Sequence, residues 1–140
     1  MTDDIQLGDY AFHSSDKIRF GDTDRLGHVN NAVFATLLEL GRVEILLGPS
    51  APPLEPGTAI VIARLVIDFK AELNWPGEVM VGTRVAGIGR SSIRMEQALF
   101  QNGKCAATAE NVIVLMDEAT RRSRPLPEAA RAWLGKFIRG

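Results

Sequence analysis

Apolar positions fall along this chain in two kinds of run. From about Asn30 to Leu47 there is no proline, and Leu37, Leu38, Glu39, Leu40, Glu44, Leu46 and Leu47 are good helix formers, with Gly48-Pro49 as the stop. This stretch predicts one long helix. Thr36, Glu39 and Arg42, three apart, form its narrow polar stripe, while Val29, Val33, Phe34, Leu37, Leu38, Leu40, Val43, Ile45, Leu46 and Leu47 cover most of the remaining circumference. A helix this apolar is predicted to be wrapped by other elements.

The second kind of run supplies the wrapper. After a connection containing Pro49, Pro52, Pro53 and Pro56 come four β-rich runs: Thr58 to Leu73, Glu78 to Gly87, Ser92 to Gln101 and Lys104 to Met116. Pro76-Gly77, Gly87 to Gly89 and Asn102-Gly103 separate them, the last a strong hairpin signal. In the first run Leu65, Ile67 and Phe69 share one face, and Arg64, Val66, Asp68 and Lys70 the other. Lys17 to Phe20 alternates as the end of a further strand, and Gly21 to Gly27 has turn chemistry. Pro127 to Ile138 predicts a short terminal helix with Trp133 and Phe137 on one face. One buried helix and about five antiparallel strands make an α+β fold.

Composition narrows the class. The 140 residues, 46% of them apolar, are sized for one domain spanning 1–140, with residues 1–12 expected as a loose N-terminal segment. A net charge of -1 argues against nucleic acid or an anionic membrane as partner. The apolar runs are too short to span a bilayer, and the acidic stretch Met1 to Asp9 is unlike a secretory signal. The lone Cys105, read as a small buried thiol, fits a reducing compartment, so the cytoplasm is expected.

The chemistry on offer is spare. His13 and His28 are the two histidines, and neither a Gly-x-Ser-x-Gly elbow nor a phosphate-cradling glycine loop occurs. Asp22 and Asp24 supply too few oxygens for a cation, so neither metal nor cofactor is expected. Asp22 reads as a turn former. Asp24 lies just before the helix, whose first N–H groups are unpaired and carry partial positive charge. Should one of them, such as the amide of Asn31, share a crevice with Asp24, an anionic nucleophile or base would face an oxyanion donor. A carboxylate is too weak for amides but suits a thioester, whose thiolate leaves readily. Three readings stay open here: thioester hydrolysis, hydration or dehydration of an enoyl or hydroxyacyl thioester by Asp24 with His28, and a non-catalytic module binding an acyl-CoA or small ligand. Asn30 or Asn31 is expected to cap the helix, and Glu39 and Arg42 to pair on its surface or line a dimer contact.

The segment Arg19-Phe20-Gly21-Asp22-Thr23-Asp24-Arg25-Leu26-Gly27-His28-Val29-Asn30-Asn31, followed by the long helix with Phe34 and Leu38-Glu39, strongly resembles the hot-dog acyl-CoA thioesterases of the 4-hydroxybenzoyl-CoA thioesterase family. The likeness extends from about Lys17 to Pro127, through Gly87-Ile88-Gly89-Arg90-Ser91-Ser92 and Pro125-Leu126-Pro127. It implies a hot-dog fold, an antiparallel sheet around a central helix, acting on a fatty or aromatic acyl-CoA. It assigns the catalytic carboxylate to Asp24 and the polarising amide to Asn31. His28, Asn30 and Phe34 then border the substrate, and Arg90, Ser91 and Ser92 lie beside the pantetheine or nucleotide of CoA. Phe34 stands where many relatives carry Tyr. The family pairs as dimers, often assembled into tetramers, with the site at the subunit interface, so a homodimer or homotetramer is implied.

Overall fold

The computed structural model describes residues 5–138. In chain order the elements are β1 (Phe12–Lys17), α1 (Asn31–Leu47), β2 (Thr58–Phe69), β3 (Glu78–Ile88), β4 (Ser92–Gln101), β5 (Lys104–Asp117) and α2 (Glu128–Gly135). The strands form one antiparallel sheet in the order β1-β3-β4-β5-β2. This is the hot-dog arrangement, with α1 lying on the β1, β3 and β4 part of the sheet. Asn102 and Gly103 both take positive φ, 52° and 79°, the geometry of a two-residue hairpin between β4 and β5.

The boundaries shift where side chains or sharp turns take over the backbone's hydrogen bonds. β2 ends at Phe69 rather than Leu73, because the N–H groups of Lys70 and Ala71 both donate to the carbonyl of Ala106. The strand expected over Lys17 to Phe20 stops at Lys17. Asp22 Oδ2 accepts from the amide of Arg19 at 2.8 Å and draws Phe20–Asp22 into a 3₁₀ turn. The segment expected to be loose divides: residues 1–4 lie outside those described, while the rest is tied down. Tyr10 is buried and meets Phe100 edge to face, with Ile5 and Leu7 packed around them. Arg84 lies 4.7 Å over the Tyr10 ring and donates to the carbonyl of Asp9. Cys105, expected buried, is half-buried beside this cluster.

On α1 the buried residues are Phe34, Leu37, Leu38, Gly41, Arg42 and Ile45. Thr36 and Glu39 are exposed as expected, but Arg42 is not part of their stripe. A spacing of three falls about 60° short of a full turn, so two steps carry Arg42 about 120° from Thr36, onto the sheet-facing side. Its Nη1 bonds Gln97 Oε1 at 3.4 Å instead of pairing with Glu39. Burial lowers its pKa, and the charge of Glu39 opposes that shift. The opposite side of α1, with Val43, Glu44 and Leu47, is exposed, so the sheet of one chain covers the helix on one face only.

Candidate active site

The loop before α1 is built from its own polar side chains. Asp24 pairs with His28 through the backbone, its N–H donating to the His28 carbonyl at 2.7 Å. The carboxylate then closes the loop from inside, Oδ1 accepting from the amides of Leu26 at 2.8 Å and His28 at 3.2 Å. Gly27, at φ 86°, takes the left-handed conformation that this tight turn requires. The loop is anchored to the helix start by the Asn30 N–H, which donates to the Asp22 carbonyl at 2.9 Å.

Asn30, not Asn31, is the helix cap: its Oδ1 accepts from the amide of Ala32 at 2.9 Å. The Asn31 N–H makes no hydrogen bond among the described residues, and Asp24 Oδ2 has no partner among them either. Phe20, Gly21, Thr23, Asp24, Arg25 and Asn30 line an open depression at this point. Asp24 itself is exposed. One carboxylate oxygen is thus held by two amides while the other has no partner among the described residues.

The other expected site residues divide between this loop and the far end of the sheet. His28 meets Asp24 through its backbone, whereas its ring Nδ1 lies 3.2 Å from Asn74 Oδ1 and 3.3 Å from Glu72 Oε2. Phe34 is buried one turn into α1, its ring centroid 5.0 Å from that of Phe69 in an edge-to-face contact. Arg90, Ser91 and Ser92 are in the β3–β4 hairpin, where the carbonyls of Arg90 and Ser91 accept from the amides of Leu126 and Leu115. The Asp24 loop is beside the start of β3, since Ile18 bonds Gly77 and His28 bridges Asn74. The hairpin is at the other end of that eleven-residue strand, roughly 30 Å away. One chain therefore does not bring Arg90, Ser91 and Ser92 to Asp24.

Sequence reasoning missed Glu72, Asn74 and Phe69 as neighbours of the site. They follow or end β2, and no local signal links positions 69–74 to 28 or 34; only the folded sheet makes them adjacent. The exposed ring of Phe20, in contact with Trp75 at a centroid distance of 5.2 Å, was missed for the same reason. Among the described residues no group of three or more His, Cys, Asp or Glu side chains could hold a metal ion, and no helix is long and apolar enough to cross a membrane.

Residues 18–134 match the family model of the thioesterase-like superfamily. The chain is 33% identical to the chloroplastic acyl-acyl carrier protein thioesterase ATL2 of Arabidopsis thaliana, over 91% of this chain and 70% of that protein. It is 29% identical to a 1,4-dihydroxy-2-naphthoyl-CoA hydrolase of Synechococcus elongatus, over 91% and 96%. Among solved structures, a thioesterase of Thermus thermophilus complexed with coenzyme A and Zn is 40% identical, with a TM-score of 0.78 over 90% of this chain and 92% of that one. The chain belongs to the thioesterase-like superfamily: it is a thioester hydrolase of the hot-dog fold.

Proposed function

We propose that this enzyme hydrolyses fatty or aromatic acyl-CoA thioesters with Asp24 as the catalytic carboxylate and the amide of Asn31 as the oxyanion donor. The observation that carries the reading is the division of labour at Asp24: Oδ1 is engaged by the amides of Leu26 and His28, Oδ2 has no partner among the described residues, and the residue lines a depression together with Asn30. Acting as nucleophile, Oδ2 attacks the thioester carbon, the C–S bond breaks, CoA leaves as the thiolate and water then opens the mixed anhydride. Acting as base, the same oxygen takes a proton from water as that water attacks. In both routes the developing oxyanion lies against the unpaired amide at the positive end of α1. The CoA ester as substrate follows the Synechococcus relative and the coenzyme A of the Thermus structure.

The site is completed by a second copy of the chain. Two features support this: the roughly 30 Å between the Asp24 loop and the Arg90–Ser92 hairpin, from an eleven-residue β3, and the apolar surface on edge strand β2. There Ile62 and, on opposite faces, Val66 and Phe69 are 45%, 37% and 50% exposed, on a strand whose outer edge has no neighbour among the described strands. In this reading His28, Asn30 and Phe34 border the acyl group, and Arg90, Ser91 and Ser92 of the partner copy meet the CoA moiety. The enzyme works as a homodimer or homotetramer in the cytoplasm, without cofactor or metal. The ring of His28, turned to Glu72 and Asn74, gives the hydratase reading no support.

The test is thiol release from a panel of alkanoyl-CoA and aroyl-CoA esters by the protein and its Asp24→Asn variant. A fall of about a hundredfold or more is expected for a residue in this role. Turnover by Asp24→Asn equal to that of the parent on every ester cleaved would remove Asp24 from the mechanism.

A further inference from the structure

At the end of α1 opposite the Asp24 loop, the helix, the proline-rich connection, the sheet and α2 border a partly open cavity of about 330 Å³. Leu46, Leu54, Ile60, Leu115, Ala130 and Trp133 are among its walls. The seventeen residues of α1 separate it from Asn31 by roughly 25 Å. Its volume is within the range of ligand sites, and neither the family resemblance nor the proposed chemistry uses it.

The polar groups on its walls are already engaged. The Thr58 hydroxyl donates to the Glu55 carbonyl at 2.6 Å, and the Trp133 indole N–H donates to the Ile45 carbonyl at 2.8 Å. The Glu55 carboxylate lies 3.5 Å from the Arg124 guanidinium, which also holds Asp117 at 3.0 Å. Among the described residues no basic one lines the cavity; Arg124 is shared by Glu55 and Asp117, and the Lys136 ammonium lies 5.2 Å over the Trp133 ring. A guest therefore loses nothing by lacking hydrogen-bonding groups, whereas an anion would lie beside Glu55 and would have to compete for Arg124 with two carboxylates and for Lys136 with the Trp133 ring. An apolar cavity of about 150 Å³ accepts benzene, so about twice that volume suits two fused rings.

We propose that this cavity is a second binding site, separate from the thioester site, for a neutral two-ring aromatic molecule. Trp133 provides the reporter, because Trp75→Phe leaves it as the sole tryptophan of a chain that has two. In that background, naphthalene is expected to change Trp133 fluorescence saturably. Its anionic counterpart 1-naphthoate is expected to bind about tenfold more weakly or worse, the penalty of an unpaired buried charge. Ala130→Phe, which fills the cavity from α2, is expected to abolish the naphthalene response while the far-ultraviolet dichroism is kept. A non-saturable response, equal affinity for naphthalene and 1-naphthoate, or undiminished binding in a folded Ala130→Phe variant would each overturn the proposal. If Ala130→Phe does not fold, the comparison of the two ligands decides alone. No measurement here depends on thioester turnover, so the outcome is independent of the role given to Asp24.

Discussion

Gln97 Nε2, on β4, donates to the main-chain carbonyl of Leu38 in the middle of α1 at 2.9 Å. The same nitrogen donates to Thr83 Oγ1 at 2.9 Å, and Gln97 Oε1 accepts from Asn111 Nδ2 at 2.9 Å and Arg42 Nη1 at 3.4 Å. All four side chains are buried, so one amide ties the helix to three strands inside the apolar core. Gln97→Met keeps the volume but strands these partners. Destabilisation by about 2–4 kcal/mol is expected from the unpaired buried groups, read as a lower urea midpoint at unchanged slope.

The helix sits this close because Gly41 faces the same cluster. A β-carbon there would lie 2.6 Å from Thr83 Oγ1 and 2.9 Å from both Gln97 Nε2 and Val81 Cγ1. Ala is the better helix former by about 1 kcal/mol, but overpacking a filled core costs about 1–3 kcal/mol, and here the hydroxyl and amide that must shift hold the network above. Gly41→Ala is expected to lower the thermal midpoint. Gly135→Ala, where a β-carbon meets nothing within 4 Å, is expected to leave it unchanged or raise it.

Asn30 links the candidate catalytic loop to α1 by its side chain on Ala32 and its amide on Asp22. Asn30→Ala is expected to cost about 1 kcal/mol as a lost cap, with Asn30→Asp or Asn30→Ser recovering most of it. Equal denaturation midpoints for the Ala and Asp variants would show that the cap bond contributes nothing.

Asp117, at the end of β5, accepts from the amides of Thr120 and Ala119 and from Arg124. The Thr120 N–H is the largest influence; together with Arg124 and the Ala119 N–H it lowers the carboxyl pKa against an opposing desolvation effect. A folded-state pKa below the unfolded one means that this stabilisation is complete above the ordinary carboxylate pKa and is lost as pH falls through the lower folded value. Asp117→Asn is expected to remove that part of the acid dependence. Parallel stability curves for the two proteins from pH 6 down to about pH 3 would contradict it.

A site shared between copies predicts complementation. Asp24→Asn and an Arg90→Glu, Ser91→Ala, Ser92→Ala triple variant are each expected to be impaired as pure proteins. Co-assembled, each mixed dimer regains one intact site, restoring about a quarter of wild-type turnover for random pairing in a two-fold dimer. Activity no higher than the mean of the two pure variants would place the hairpin and Asp24 in separate roles.

Much of the fold was legible in local pattern. Alternation and the turn residues delimited β3, β4 and β5, because strand period and hairpin chemistry depend on near neighbours. The Gly21 to Asn31 segment likewise announced the candidate site, since its loop is closed by its own backbone and carboxylates. Arg42 shows where local pattern stops. Its charge marked it as surface, yet it is buried because Gln97, fifty-five positions away, offers an acceptor. The neighbours of His28 and Phe34, at positions 69–74, and the wide separation of Asp24 from the Arg90–Ser92 hairpin follow from strand order and strand length. The amino-acid sequence alone determined which elements form and which carboxylate stands in the loop before the helix. Only the tertiary structure decided which polar groups are buried together, which cavity α2 borders, and that one chain leaves Asp24 and the Arg90–Ser92 hairpin at opposite ends of a sheet, because those relations depend on pairing across long loops rather than on period.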